Sequence, residues 1–360
     1  MAPLPRILIC GQHRRSRDLV WAHAEAKEMF AGIAETILMT SANRDQFLKA
    51  IAPNGAYYPL TAVYRNNTSA DRIGVFDAPI IAALATAGVR WIAHNGAGYD
   101  QIDIPACIEQ GIKVSNTPGA VDDATATTAF YLMISALRQF SNAERSLREG
   151  KWKGLTNAGK QRDAEGKTLA ILGLGGIGLR LAELARAFPM RILYHSRHPN
   201  PLAPEWAEYF PTEKLYEMLA QADVLSVHVP LRTETEGLVG ESMIRALKKG
   251  GILVNTARGK VVDEEAMIRA LEDGHLASAA LDVYPDEPAV NPRLLSFPQN
   301  VLLPHMGTET RDSQRKMEVR ALGNVRDFLK KGKGNDLVPE MKLKEPKYVE
   351  EVKLVNIGKL

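Results

Sequence analysis

Short apolar runs alternate with longer amphipathic stretches along most of the chain. From RILIC at Arg6 to IKVSNTP near Pro118, strand-length runs such as WIAHNGAG follow helix-like segments such as APIIAALATAG. That alternation predicts one α/β unit. DDATATTAFYLMISALRQFSNAERSLREG then carries a helical pattern of about two dozen residues ending at Gly150, long enough at about 1.5 Å per residue to bridge two domains. Beyond it, TLAILG, RILYHS, DVLSVHVP, GILVNTA, SAALDV and NVLLPH are nearly continuous apolar runs, the pattern of strands buried on both faces of a parallel sheet. Helical patterns separate most of them, so a doubly wound sheet is expected. After Thr310, RDSQRKMEVRALGNVRDFLKKG reads as a helix that returns to the first unit and makes it discontinuous. The closing GNDLVPEMKLKEPKYVEEVKLVNIGKL has no long helical pattern and is expected to hug the surface. The expected divisions are residues 1–120, 121–310, 311–340 and a tail, 341–360.

At 360 residues the chain is too long for one ordinary core and suits two domains. Its 45 basic and 42 acidic residues leave a formal charge of +3, and the two signs are interspersed. Neither nucleic acid nor a membrane is therefore an expected partner. Cys10 and Cys107 lie far apart without metal-type spacing, so neither a disulfide framework nor a metal site is expected, and a reducing compartment fits. The first residues enter a short apolar run with no long hydrophobic leader, and no run is long enough to span a bilayer. The final GKL is similar to the peroxisomal tripeptide S-K-L, with Gly358 in place of a small polar residue. The cytoplasm is the expected compartment and the peroxisome the alternative.

The strongest motif is TLAILGLGGIGLRLAELARAF, where Gly173, Gly175 and Gly178 form G-x-G-x-x-G between a predicted strand and a predicted helix, with Gly176 and Ile177 inside the loop. The first glycine permits the tight turn, the second admits a pyrophosphate to the backbone, and the third lets helix and strand pack closely. The helix N-terminus adds partial positive charge. An acidic residue about 20 positions further on would bind the ribose hydroxyls of NAD. The second strand instead ends YHSRHP, with Ser196 at that place, Arg197 next, and His195 and His198 beside them. A hydroxyl and a guanidinium suit a 2′-phosphate, so NADPH is the expected cofactor and NADH the lesser alternative.

Three polar residues stand at the ends of later strands: Arg258 in LVNTARGKVVDEEAM, Glu287 in AALDVYPDEPAV and His305 in VLLPHMG. In an open α/β sheet such ends face one crevice. Reduction of a 2-oxo acid needs a cation for the carboxylate, an acid for the carbonyl oxygen, and a group that keeps this acid protonated. Arginine, histidine and glutamate supply these in turn.

GLGGIG, NTARGKVVDEEAM, LDVYPDEP, LLPHMGT and the earlier NGAGYDQID, in that set, resemble the D-isomer-specific 2-hydroxyacid dehydrogenase family, above all its fungal glyoxylate/hydroxypyruvate reductase branch. The resemblance runs from about Arg6 to Glu340. It implies two doubly wound Rossmann-like domains, a discontinuous substrate domain and a nucleotide-binding domain, with an active-site cleft between them. It further implies that Arg258 binds the substrate carboxylate and carbonyl, that Glu287 tunes His305, and that His305 is the acid/base. The backbone around Ala97 and Gly98 would hold the carboxylate, and Asp282 would contact the nicotinamide carboxamide. Pro230, Thr235, Thr256 and Ala257 would line the cofactor. Arg65 and Asn66 in VYRNNTS stand near a position that faces substrate, and Trp152 matches a tryptophan near the dimer arm. Asp122 and Thr127 depart from the family's usual threonine and acid, which bears on how the long helix begins.

The expected protein is an NADPH-preferring reductase of small 2-oxo acids, glyoxylate or hydroxypyruvate, acting as a homodimer by the same resemblance. A D-mandelate or phenylpyruvate type of dehydrogenase is the alternative enzyme. A non-enzymatic dinucleotide-sensing corepressor, which shares these motifs, is the alternative from another class.

Overall fold

Parallel strands joined by helical crossovers make up most of the structure, a computed structural model that describes residues 3–11, 21–154 and 156–342. The chain divides into two units, one drawn from Met1–Ala120 and Arg311–Leu360, the other from Val121–Thr310. No helix among the described residues is long and apolar enough to cross a membrane.

In the first unit, β1 (Arg6–Cys10), β2 (Glu35–Leu38), β3 (Ala62–Asn66), β4 (Trp91–Asn95) and β5 (Lys113–Ser115) form one sheet in the order β2-β1-β3-β4-β5. Every pairing is parallel. The central strands β3 and β4 are buried along their whole length, as strands covered on both faces must be. The helix Arg311–Lys331 belongs to this unit. Phe328 from it stacks on Trp91 of β4 with ring centroids 5.1 Å apart. The segment after that helix departs from the expected surface tail: Leu337, Val338 and Met341 are buried, and Val338 N–H donates to Val114 O at 3.1 Å. Their apolar side chains extend the core beside β5, which a surface path would have left wet. The rest of the expected tail, with its terminal GKL, lies outside the described residues.

In the second unit, β6 (Thr168–Leu172), β7 (Arg191–His195), β8 (Ala207–Phe210), β9 (Val224–Val227), β10 (Gly251–Asn255), β11 (Leu276–Leu281) and β12 (Val301–Leu302) form a sheet in the order β12-β11-β10-β9-β6-β7-β8. The pairings are again all parallel. Six of these strands are the apolar runs read from the sequence; β8 is not among them. It is an edge strand whose interior residues Glu208 and Tyr209 are not buried, so it carries no continuous apolar run. The single long helical pattern resolves into two helices, Asp122–Arg138 and Phe140–Arg148, broken at Gln139. Gln139 is left-handed, with φ 52° and ψ 32°, and Ser135 Oγ accepts from Ser141 N–H at 3.2 Å. The side chain of one helix thus satisfies an opening donor of the next.

Candidate active site

Register brings the three expected catalytic residues together. β10, β11 and β12 are neighbours, and Arg258, Glu287 and His305 follow their C-terminal ends in turn. Leu281 pairs with Leu302, and Leu303 N–H then donates to Leu281 O at 2.8 Å and His305 N–H to Asp282 O at 2.8 Å. This ladder carries His305 alongside the chain that leads to Glu287.

His305 is half-buried, and its Nδ1 lies 2.8 Å from Glu287 Oε2. A carboxylate only accepts, so Nδ1 carries a proton and Nε2 is the ring atom left for a substrate. The other carboxylate oxygen, Glu287 Oε1, accepts from Tyr284 N–H at 3.0 Å, which fixes the glutamate. The bond to Glu287 raises the His305 pKa above 6.5 against the opposing effects of burial and of the Arg258 charge. Although burial alone would push it the other way, hydrogen bonding and the positive charges of His305 and Arg258 hold Glu287 below its ordinary 4.5. Arg258 is half-buried and donates to Ala257 O at 2.8 Å, while Asn255 Nδ2 donates to Arg258 O at 2.9 Å. The end of β10 is therefore braced by its own last residue.

His305 has a left-handed backbone, φ 57°, which costs a non-glycine residue on the order of 1–2 kcal/mol. Asp282 supplies the restraint. It is buried, and its two carboxylate oxygens accept from Met306 N–H at 2.6 Å and Gly307 N–H at 2.8 Å. Burial raises the Asp282 pKa, and these two bonds and the His305 charge oppose that rise. Its clamp on the turn behind His305 could not be foreseen from LDV alone.

The dinucleotide motif sits as expected between β6 and the helix Gly176–Arg186, whose N-cap, Gly175, provides no side-chain cap. Gly173 has φ +98°, a conformation for glycine, and a Cβ at Gly178 would lie 2.5 Å from Gly173 O. Helix and strand meet too closely there for any side chain. The Asp122 carboxylate packs against Gly176, and Asp123 pairs with Arg180 of the same helix at 2.9 Å. These contacts anchor the start of the long helical stretch, whose family departure lay at Asp122. Ser196 is half-buried and Arg197 exposed at the end of β7, and Ser196 Oγ accepts from Leu174 N–H at 3.0 Å. Its own hydroxyl proton has no acceptor among the described residues.

Thr235 Oγ1 donates to the Pro230 carbonyl at 2.6 Å and accepts from Arg232 N–H at 2.8 Å, closing the loop after β9. Thr256 is buried beside Ala257, and its Oγ1 has no hydrogen-bond partner. An uncapped helix N-terminus, a glycine cradle and an orphaned buried hydroxyl in one unit fit a bound dinucleotide. Among the described residues, no group of His, Cys, Asp or Glu side chains is placed to hold a metal ion. Cys10 and Cys107 are buried, and burial pushes both thiols up to about 12.

In the first unit, Ala97 and Gly98 follow β4. The Ala97 carbonyl accepts from Asn116 Nδ2 at 2.8 Å and the Gly98 carbonyl lies 2.7 Å from His94 Nε2. Both carbonyls are tied back, whereas the two N–H groups donate to no acceptor among the described residues. Asn66 is buried at the end of β3, its Oδ1 accepting from Thr68 Oγ1 at 2.9 Å. Arg65 does not line a pocket as the sequence led us to expect. It is wholly buried, with NH2 bonded to Asn66 O at 2.9 Å and to Gln101 Oε1 at 2.7 Å, and its guanidinium 5.0 Å over Phe76.

The family model described as the NAD-binding domain of D-isomer-specific 2-hydroxyacid dehydrogenases matches residues 130–307. The chain is 41% identical over 339 residues to 4-methyl-2-oxopentanoate reductase A of Aspergillus oryzae, covering 94% of this chain and 99% of the relative. It is 38% identical over 348 residues to glyoxylate reductase 1 of Saccharomyces cerevisiae, covering 95% and 96%. Among solved structures, a glyoxylate reductase from Paecilomyes thermophila aligns with a TM-score of 0.87 at 42% identity, over 94% of this chain and 99% of that one. The NADPH-dependent glyoxylate/hydroxypyruvate reductase of Sinorhizobium meliloti, in complex with NADP and malonate, aligns at 0.78 and 30% identity, over 93% and 97%. The holo form of Rhodotorula graminis D-mandelate dehydrogenase aligns at 0.84 and 30%, over 94% and 98%.

Proposed function

From the premise that the chain belongs to the D-isomer-specific 2-hydroxyacid dehydrogenase family, and so is an oxidoreductase using a nicotinamide dinucleotide, we propose that it reduces small 2-oxo acids, glyoxylate or hydroxypyruvate, with a preference for NADPH. The observation that carries this reading is the 2.8 Å pair between His305 Nδ1 and Glu287 Oε2, with the Arg258 charge acting on both residues.

In this reading Arg258 binds the substrate carboxylate and carbonyl by charge-assisted hydrogen bonds. The N–H groups of Ala97 and Gly98 take the carboxylate, and Asn66 contacts the substrate. His305 donates its Nε2 proton to the carbonyl oxygen, and Glu287 stabilises the imidazolium until then. The nicotinamide, when bound, supplies the hydride. The residues that hold the dinucleotide are the Gly173–Gly178 loop, Pro230, Thr235, Thr256 and Ala257, with Asp282 at the carboxamide. Ser196 donates its hydroxyl and Arg197 its guanidinium to a 2′-phosphate, and the NADPH dependence of the Sinorhizobium meliloti relative supports this choice.

A second reading, reduction of bulkier 2-oxo acids, is favoured by the likeness to 4-methyl-2-oxopentanoate reductase A and to D-mandelate dehydrogenase. Steady-state kinetics with glyoxylate, hydroxypyruvate, 4-methyl-2-oxopentanoate and benzoylformate, each with NADPH and NADH, separate the two. We expect the highest kcat/KM with glyoxylate or hydroxypyruvate and NADPH. A tenfold preference for either bulky acid would replace the first reading by the second, and a preference for NADH would remove the roles given to Ser196 and Arg197. The proposed assembly is a homodimer in the cytoplasm; light scattering should give about twice the 39.5 kDa chain mass.

A further inference from the structure

The segment that carries Ser196 and Arg197 is fastened to the glycine loop by a residue outside both motifs. Asn200 Nδ2 donates to Leu174 O at 2.6 Å, and its Oδ1 accepts from Leu202 N–H at 2.8 Å. One side chain therefore closes the turn that begins at Asn200 and ties that turn to the residue between Gly173 and Gly175. The N–H of the same Leu174 donates to Ser196 Oγ at 3.0 Å. Both polar groups of Leu174 are thus held by the Ser196–Asn200 segment. Tyr209 OH adds a bond to Ser196 O at 3.2 Å from the neighbouring β8. Between the two anchors lies Arg197, exposed and without a hydrogen bond or ion pair among the described residues.

We infer that Asn200 is a positioning residue for cofactor selection: its bond to Leu174 sets the offset between the glycine loop and the Ser196–Arg197 segment, so that the 2′-phosphate meets a preformed site. The inference rests on the NADPH reading. An exposed arginine on an untethered loop gives little net attraction, because the side chain and its backbone must be ordered at the moment of binding. Tethering the loop on both sides removes part of that ordering cost in advance. The effect falls on the 2′-phosphate, which only this segment recognises, and much less on the pyrophosphate, which the glycine loop and the helix N-terminus hold.

The test is isothermal titration of the full chain with 2′,5′-ADP and with 5′-AMP, which differ in the 2′-phosphate alone, on the parent, Arg197→Ala and Asn200→Ser. Serine keeps an acceptor for Leu202 N–H, so the turn survives, while its shorter side chain no longer reaches Leu174 O. The expected result is a parent that favours 2′,5′-ADP, a loss of about tenfold in 2′,5′-ADP affinity for Asn200→Ser, and a loss of under about threefold for 5′-AMP. In turnover, the NADPH over NADH ratio of kcat/KM should fall by a similar factor. Equal losses for both ligands would reduce Asn200 to a general structural role and overturn the inference. So would an unchanged ratio in Asn200→Ser when Arg197→Ala abolishes the preference, and that outcome leaves the NADPH reading standing. A parent with no preference for 2′,5′-ADP would overturn both.

Discussion

The proton on His305 is set by its neighbours. Glu287 holds its pKa above 6.5, and reduction uses the protonated ring. Reduction should therefore be full at pH values below that raised pKa and decline as pH rises through it. Glu287→Gln removes the charge and should move this limb of the kcat/KM profile to lower pH; a profile left in place would remove Glu287 from the role. His305→Ala should lower kcat by about 10²–10⁴-fold, the usual worth of a positioned acid, with near-parental melting of the protein. Turnover within a few-fold of the parent would disqualify His305. Both residues were legible as chemistry at strand ends. Their pairing atoms, the left-handed φ of His305 and the Asp282 clamp were not, because each depends on residues brought close by the pairing of β11 with β12.

Among the elements, those with a strong local signal were readable in advance. β6 and β10 are buried at every position, and continuous apolar runs are what such strands require. β8 escaped because an edge strand has one side in water. The break at Gln139 escaped because the residues on either side continue a helical pattern, and only the left-handed φ at Gln139 and the Ser135 cap on Ser141 divide it. Glycine at position 178 serves the packing of an entire helix on its strand. Gly178→Ala would place a Cβ 2.5 Å from a backbone oxygen, so the helix must shift. A loss of about 1–3 kcal/mol in urea unfolding is expected, as for other overpacked sites, together with at least about tenfold weaker ADP binding. Unchanged stability and binding would mean that the loop has slack to give.

At the scale of the whole molecule, the chain closes the first unit with a segment that sequence patterning read as hugging its surface. Asp336 is buried and accepts from Arg320 NH2 at 2.8 Å and from Asn324 Nδ2 at 2.8 Å, tying residues 335–338 to the helix Arg311–Lys331. Despite the opposing effect of burial, Arg320 and Asn324 hold the Asp336 carboxyl below 3.8. A group with a depressed folded pKa contributes stability above its unfolded pKa and loses it as pH falls through the folded one. Asp336→Asn should therefore cost about 1–3 kcal/mol at pH 7, and the difference from the parent should shrink toward zero as pH falls through that lowered pKa. A difference that persisted in acid would assign the loss to packing rather than charge.

The sequence by itself determined the α/β alternation, the dinucleotide loop and the identities of Arg258, Glu287 and His305. Periodicity, glycine spacing and functional-group chemistry are local properties, written in consecutive residues. Tertiary structure alone decided which nitrogen of His305 faces Glu287 and that Arg65 is a buried brace. It also decided that Leu337 and Val338 complete a core and that Asn200 reaches the glycine loop. Each of these joins residues distant along the chain or strands adjacent only in the sheet. Their distances follow from sheet order and register, which no window of consecutive residues specifies.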